Sequence, residues 1–338
     1  MSIIPGAIRF NTDSMKLEYF RIGTAGIGTL AAGEWVQITT DTPEVQTGGT
    51  RGIHAIGAVS PGDRIDYVNI ATTGNAQDFG NALYTTSEVM GLASRTRGVF
   101  AGGYSLPNHL TNMNFVTISS TGDSINFGDL NLGCYAGQGA GNNVRGIFAP
   151  GSKVSYTNID ELQYITIAST GNAIDFGEKG VTGGGSASSS SVRTIFAGGS
   201  LSKNISFVTT STLGNAADFG DLTLNRTACA GCSNSIRSIH MGGSGPASQD
   251  TNIIEYISIS TLGNAIDFGD LSNRIRSGSA MSSSTRAVSY AGFANESGNT
   301  DKIEYVQFAS TGNAIDFGNA NGPARGGGTF SNGHGGLG

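Results

Sequence analysis

One phrase returns six times along the chain, from Thr73-Gly74-Asn75-Ala76-Gln77-Asp78-Phe79-Gly80 to Thr311-Gly312-Asn313-Ala314-Ile315-Asp316-Phe317-Gly318. Its glycine falls at Gly74, Gly122, Gly171, Gly214, Gly263 and Gly312, in steps of 48, 49, 43, 49 and 49 residues. A repeat of this length is one supersecondary unit that buries its apolar faces only against copies of itself. Composition narrows what the unit can be. With 53 glycines in 338 residues the chain is too glycine-rich for stacked helices, and no Gly-X-Y period points to a triple helix. Disorder is excluded as well, because net charge is only -6 and Val, Ile, Phe and Tyr recur at regular intervals.

Upstream of each glycine stands an arginine followed by an apolar strand: Arg51, Arg97, Arg145, Arg193, Arg237 and Arg286. Gly102-Gly103, Gly198-Gly199 and Gly242-Gly243 close three of these strands. Between the landmarks runs a strand of the type Ile254-Glu255-Tyr256-Ile257-Ser258-Ile259, in which Tyr67, Phe115, Tyr164, Phe207, Tyr256 and Tyr305 point one way and Val68, Val116, Ile165, Val208, Ile257 and Val306 the other. Apolar side chains on both faces place each sheet between two neighbours. Segments of small residues, such as Gly137 to Gly141, Gly183 to Ala187 and Ala228 to Cys232, suit innermost strands crowded around an axis, with the Asp-Phe-Gly strand outermost. The first unit lacks its small-residue strand, and Ala324 to Phe330 resembles the missing piece. The expectation is an all-β chain: a six-bladed β-propeller of four-stranded blades over residues 46–338, closed by the C-terminal strand, behind a short N-terminal β module over residues 1–45.

The recurring polar residues read as scaffold. Phe79, Phe127, Phe176, Phe219, Phe268 and Phe317 wedge between blades, each contributing roughly 1.5 to 3 kcal/mol. Thr-Gly-Asn reads as a tight turn using positive φ at Gly and Asn. Asp78, Asp175, Asp218, Asp267 and Asp316, with Asn126 in the second copy, are turn caps or partners of the recurring arginine rather than metal or catalytic carboxylates. Cys229 and Cys232 face opposite sides of a strand and lack companions for a zinc site. His54 and His240 occupy the position that Phe100, Phe148 and Phe196 fill elsewhere, so they pack as ring substitutes. No Ser/His/Asp order, P-loop or dinucleotide fingerprint stands out. The expectation is therefore no catalytic residue, no metal ligand, no cofactor and no enzymatic activity.

Residues 1–6 lack a basic segment followed by a long apolar stretch, and no uncharged apolar run reaches about 18 residues. A protein without membrane insertion, made in a cytoplasm, is expected, in keeping with three cysteines that cannot all pair. Mild acidity speaks against nucleic acid as a partner.

The order Phe100-Ala101-Gly102-Gly103, Phe115, Phe127 resembles kelch-type repeats, with Phe where those usually carry Trp. A closer resemblance is to virion proteins of tailed phages that infect marine cyanobacteria, in which Ser-Thr-Gly-Asn-Ala-x-Asp-Phe-Gly-Asp-Leu repeats are frequent; Ser169 to Gly177 and Asp267 to Leu271 match this form. Gly6 to Tyr19 followed by Glu34-Trp35-Val36 is similar to a short β module near the start of many phage tail and fibre proteins. The resemblance implies a virion structural protein, of tail fibre, spike or decoration type, that docks to other virion proteins through residues 1–45. It implies a homo-oligomer with the propeller displayed for adhesion to a host surface glycan or for decoration of the particle. Contact loops are then expected where units differ most, at Tyr104 to Asn112, Ser152 to Asp160, Gly245 to Asn252 and Ala294 to Asp301. There Tyr104, His109 and Tyr156 are the candidates to stack on a sugar face. The alternatives are a glycan-active enzyme or copper oxidase on a propeller scaffold, and a cytoplasmic kelch-type interaction module.

Overall fold

The computed structural model describes residues 7–11, 16–22, 33–37, 49–57, 62–105, 107–153, 157–180 and 183–337. The chain divides into two units, residues 1–46 and 47–338. In the first, Ile8–Asn11, Lys16–Ile22 and Gly33–Gln37 form a three-stranded antiparallel sheet with Lys16–Ile22 in the middle.

The second unit is a six-bladed β-propeller: six four-stranded antiparallel sheets, each an up-and-down meander. A representative blade runs from Ser186–Ser189 at the axis through Arg193–Ala197 and Asn204–Thr209 to Ala217–Asp221 at the rim. The first blade takes Gly328–Ser331 as its inner strand, paired antiparallel with Arg51–Ala55. Inner strands are built of small residues because they converge. A Cβ on Gly91 would lie 2.7 Å from Thr329 N, and one on Gly139 would lie 2.6 Å from Gly91 O, both in neighbouring blades.

The repeated phrase acts between blades. The third and outer strands shift register at the phrase in every blade, with Ile65 opposite Gly80 and Asp66 opposite Asp78, so that Phe79 is the extra residue of a β-bulge. The other five phenylalanines occupy the same place. The bulge turns each ring inward: all six are 2% exposed, and each meets the aromatic ring of its own third strand edge-on at 5.8–6.1 Å. The turn of the next blade then hydrogen-bonds to this strand. Gly122 N–H donates to Phe79 O at 2.7 Å and Ser124 N–H to Asn81 O at 2.9 Å, while the backbone N–H of Asn81 donates to the Asp123 carboxylate at 2.8 Å. In the other five turns an asparagine Oδ1 takes the place of Asp123, as at Asn172, which accepts from Asp129 N–H at 3.0 Å. The series runs around to Gly74 N–H, which donates to Phe317 O at 2.8 Å. Gly80 is required by this clasp, since its Cβ would lie 2.4 Å from Gly122 O.

Two sequence expectations need correction here. The asparagine of the turn is an acceptor for the neighbouring blade, and positive φ in the turn belongs to the glycine. The recurring arginine does not pair with the recurring acid among the described residues. Arg51 lies over the Tyr67 ring at 4.7 Å and donates to Ile118 O of the next blade at 2.9 Å. Arg97, Arg145, Arg193, Arg237 and Arg286 repeat both contacts. The acids stay exposed.

The meander sorts connections to two ends. Phrase turns and the loops after the inner strands lie at one end, here the hairpin end; second-to-third-strand loops and the links into inner strands lie at the other, here the mouth end. The hairpin end of the axis is plugged. His334 donates from Nε2 to Ala93 O at 2.9 Å and accepts at Nδ1 from Gly336 N–H at 3.2 Å, and Arg95 donates to Leu337 O. Gly335, Gly336 and Leu337 are buried there; a Cβ on Gly336 would lie 1.9 Å from Gly141 O. Burial lowers the His334 pKa to about 4, with the nearby Arg95 charge acting in the same direction against the Ala93 hydrogen bond.

Candidate functional site

The mouth end opens into an axial cavity of about 380 Å³. Toward the hairpin end it narrows to about 50 Å³ and ends on His334. The described channel is therefore blind.

Its rim carries backbone bonds between blades at five of the six junctions. Ala136 N–H donates to Glu88 O at 3.0 Å, Ala228 N–H to Gly184 O at 3.1 Å, Ser277 N–H to Ala228 O at 2.8 Å, Gly326 N–H to Ser277 O at 2.8 Å, and Val89 N–H to Gly326 O at 3.2 Å. Glu88, Ala136, Ala228 and Ser277 hold left-handed backbone there, with φ of +57°, +51°, +53° and +50°. Such strain costs of order 1–3 kcal/mol per residue and persists only where the surroundings impose it. The walls are the inner strands, each paired along the backbone on one side only and met on the other by side chains of the next blade, as where Thr329 Oγ1 donates to Ala280 O at 2.9 Å and Ser279 Oγ to Gly327 O at 2.8 Å, together with small side chains such as Ser186, Ala187 and Cys229. Among the described residues Glu88 is the one carboxylic acid in the lining, and no Lys, Arg or His of those residues lines it. Burial raises the Glu88 pKa, opposed by the charge of Arg325.

Tyr135 also lines this cavity, and it ties the cavity to two of the residues expected from sequence. Tyr104 and His109 face each other across the two-stranded ribbon Tyr104–Ser105 and Asn108–His109, and Tyr135 packs on both. Ring centroids are 5.1 Å apart for Tyr104 and His109, 5.6 Å for Tyr104 and Tyr135, and 4.9 Å for His109 and Tyr135. All three rings are partly exposed. Tyr156 lies outside the described residues. Sequence reading missed Tyr135, whose signal was available: its counterparts in the other units are Ser87, Gly183, Thr227, Arg276 and Arg325, so an aromatic there departs from the repeat. A second depression, of about 310 Å³, lies beside the loop containing Pro246 and Gln249 and carries no aromatic residue.

Blade contacts beneath the cavity also bring a serine to a histidine. Ser186 Oγ lies 2.8 Å from His240 Nδ1, whose Nε2 is 3.0 Å from Ser238 Oγ. Serine beside imidazole is the pairing of nucleophilic catalysis, but here a hydroxyl stands where a carboxylate orients the base. Burial, with Arg226 nearby, lowers the His240 pKa to about 3 and removes its basicity at neutral pH. His240 is fully buried and His54 is 2% exposed and stacked on Tyr290 at 4.4 Å, so both pack as rings. Cys229 and Cys232 are buried free thiols. No cluster of three His, Cys, Asp or Glu that could hold a metal occurs among the described residues, and no helix among them is long and apolar enough to cross a membrane.

Comparison with protein-family models found no match, and comparison with curated proteins found none.

Proposed function

We propose that the protein is a non-catalytic binding module of a tailed-phage virion, with the propeller presented for adhesion or decoration. The observation that carries this reading is where the units differ. The hairpin end repeats one set of contacts six times, whereas the mouth end joins unequal loops around a strained rim, a cavity and an aromatic cluster. Recognition is commonly carried by loops on a rigid scaffold, and pockets of a few hundred Å³ with convergent polar groups are the usual small-ligand sites. The virion assignment rests on the likeness of the Ser-Thr-Gly-Asn-Ala-x-Asp-Phe-Gly phrase to cyanobacterial-phage virion repeats. Residues 1–45 are proposed to dock the chain to other virion proteins, in a homo-oligomer. Mass spectrometry of purified particles tests this. The protein is expected in the particle in stoichiometric amounts, and its absence from particles while present in infected cells would overturn the virion reading.

A further inference from the structure

We infer that residues 333–337 are a proton-released stopper, closing the hairpin end of the axial channel through a seat that accepts only the neutral imidazole of His334. The inference goes beyond the binding-module reading and does not depend on it.

The stopper is held by fit and not by strand pairing. The inner-strand ladder of the first blade runs to Ser331, opposite Gly52. Past it the chain makes a short turn over Gly335–Leu337, all three buried. A Cβ on Gly335 would lie 2.1 Å from Asn234 O and one on Gly336 would lie 1.9 Å from Gly141 O, so this backbone rests directly on two other blades. A segment outside the ladders can open locally while the blades stay folded.

Its hydrogen bonds fix one protonation state. Nε2 of His334 donates to Ala93 O at 2.9 Å and so carries a proton; Nδ1 accepts from Gly336 N–H at 3.2 Å and so does not. A second proton would set one N–H against another at Nδ1.

The surroundings offer the imidazolium no compensation. Among the described residues lining the narrow end there is no Asp or Glu, and the other titratable group is the Cys232 thiol, which burial keeps neutral by pushing its pKa up to about 12. Arg95, which donates to Leu337 O, brings a like charge. Arg51, whose N–H bonds to Asn332 Oδ1, turns its guanidinium away onto the Tyr67 ring. Seated, His334 has a pKa of about 4, whereas released it returns to the ordinary 6.5. Proton uptake therefore favours release as pH falls between these values. Release opens the narrow end of the channel to solvent.

The test is hydrogen–deuterium exchange of the purified full-length protein from pH 7.5 to 3.5, corrected for intrinsic rates and read by mass spectrometry over residues 330–337 and over Arg193–Ala197. Opening of the stopper is expected to grow about tenfold per pH unit below about 6.5 and to level off below about 4, after a rise of about 300-fold in all. Arg193–Ala197 should keep its protection over that range. His334→Gln retains a donor and an acceptor without the titration, and its profile should be flat whatever its level. A flat profile in the parent, an equal slope in His334→Gln, or an equal rise over Arg193–Ala197 would overturn the inference. None of these outcomes bears on presence in particles, so this inference and the virion reading fail separately.

Discussion

The two ends of the propeller are made from the same repeats but by different rules. At the hairpin end every blade holds the next through the bulged phenylalanine, the turn clasp and the arginine, each repeated six times. At the mouth end the counterpart positions diverge: Ser87, Tyr135, Gly183, Thr227, Arg276 and Arg325 stand at one place in the six units. Uniformity marks what closes the ring, and divergence marks where each blade has acquired its own surface. Stability and recognition should accordingly separate by end.

Removing one wedge tests the strongest form of that separation. Phe176→Ala should lower the unfolding free energy by about 3–5 kcal/mol, read from chemical denaturation, because it empties a fully enclosed site between blades. Next comes the plug. The folded His334 pKa of about 4 lies below the ordinary 6.5, so the unfolded chain takes up the proton first and stability falls as pH drops from about 6.5 to about 4. The loss should approach about 3 kcal/mol for this residue. His54 and His240, also lowered to about 3, add losses over the same range and below; urea midpoints across pH for His334→Asn should show a slope smaller by one proton. Arg193→Ala should cost about 1–2 kcal/mol, since it removes a ring contact at 4.8 Å and a 2.8 Å bond to Ile259 O of the next blade. Tyr135→Ala should change stability by less than about 1 kcal/mol, as a partly exposed residue away from the wedges. A larger loss there, or a negligible one for Phe176→Ala, would break the division between ends.

Much of the fold was legible because the repeat displays its strands six times over. Small residues marked the inner strand, alternation marked the sandwiched one, and the buried phenylalanine was recognisable as a wedge. The bulge that aims it was not, because Asp-Phe-Gly shows residue order within a strand and not the register against its partner. The arginine was misassigned for a related reason. Opposite charges within one unit suggest an ion pair, but its partners are a ring of its own blade and a carbonyl of the next. Tyr104 and His109 were found as aromatic residues in a divergent loop. Their companion Tyr135 was passed over because it lies in the short link before an inner strand, where small residues were expected. The plug lies beyond Phe330, where pattern reading had already accounted for the last strand.

The blade that joins Gly328–Ser331 to Arg51–Ala55 bears on how the molecule forms. Arg51 N–H bonds to Asn332 Oδ1 across 281 residues of sequence, so this blade is a three-stranded sheet with an open edge until the far end of the ring has been made. Contacts this distant are slow to form, and an unpaired edge left waiting is a template for association with other chains. The five blades between can each form from contiguous sequence. The rate-limiting event of assembly is therefore expected to be ring closure rather than blade formation, with crowding during synthesis its main hazard.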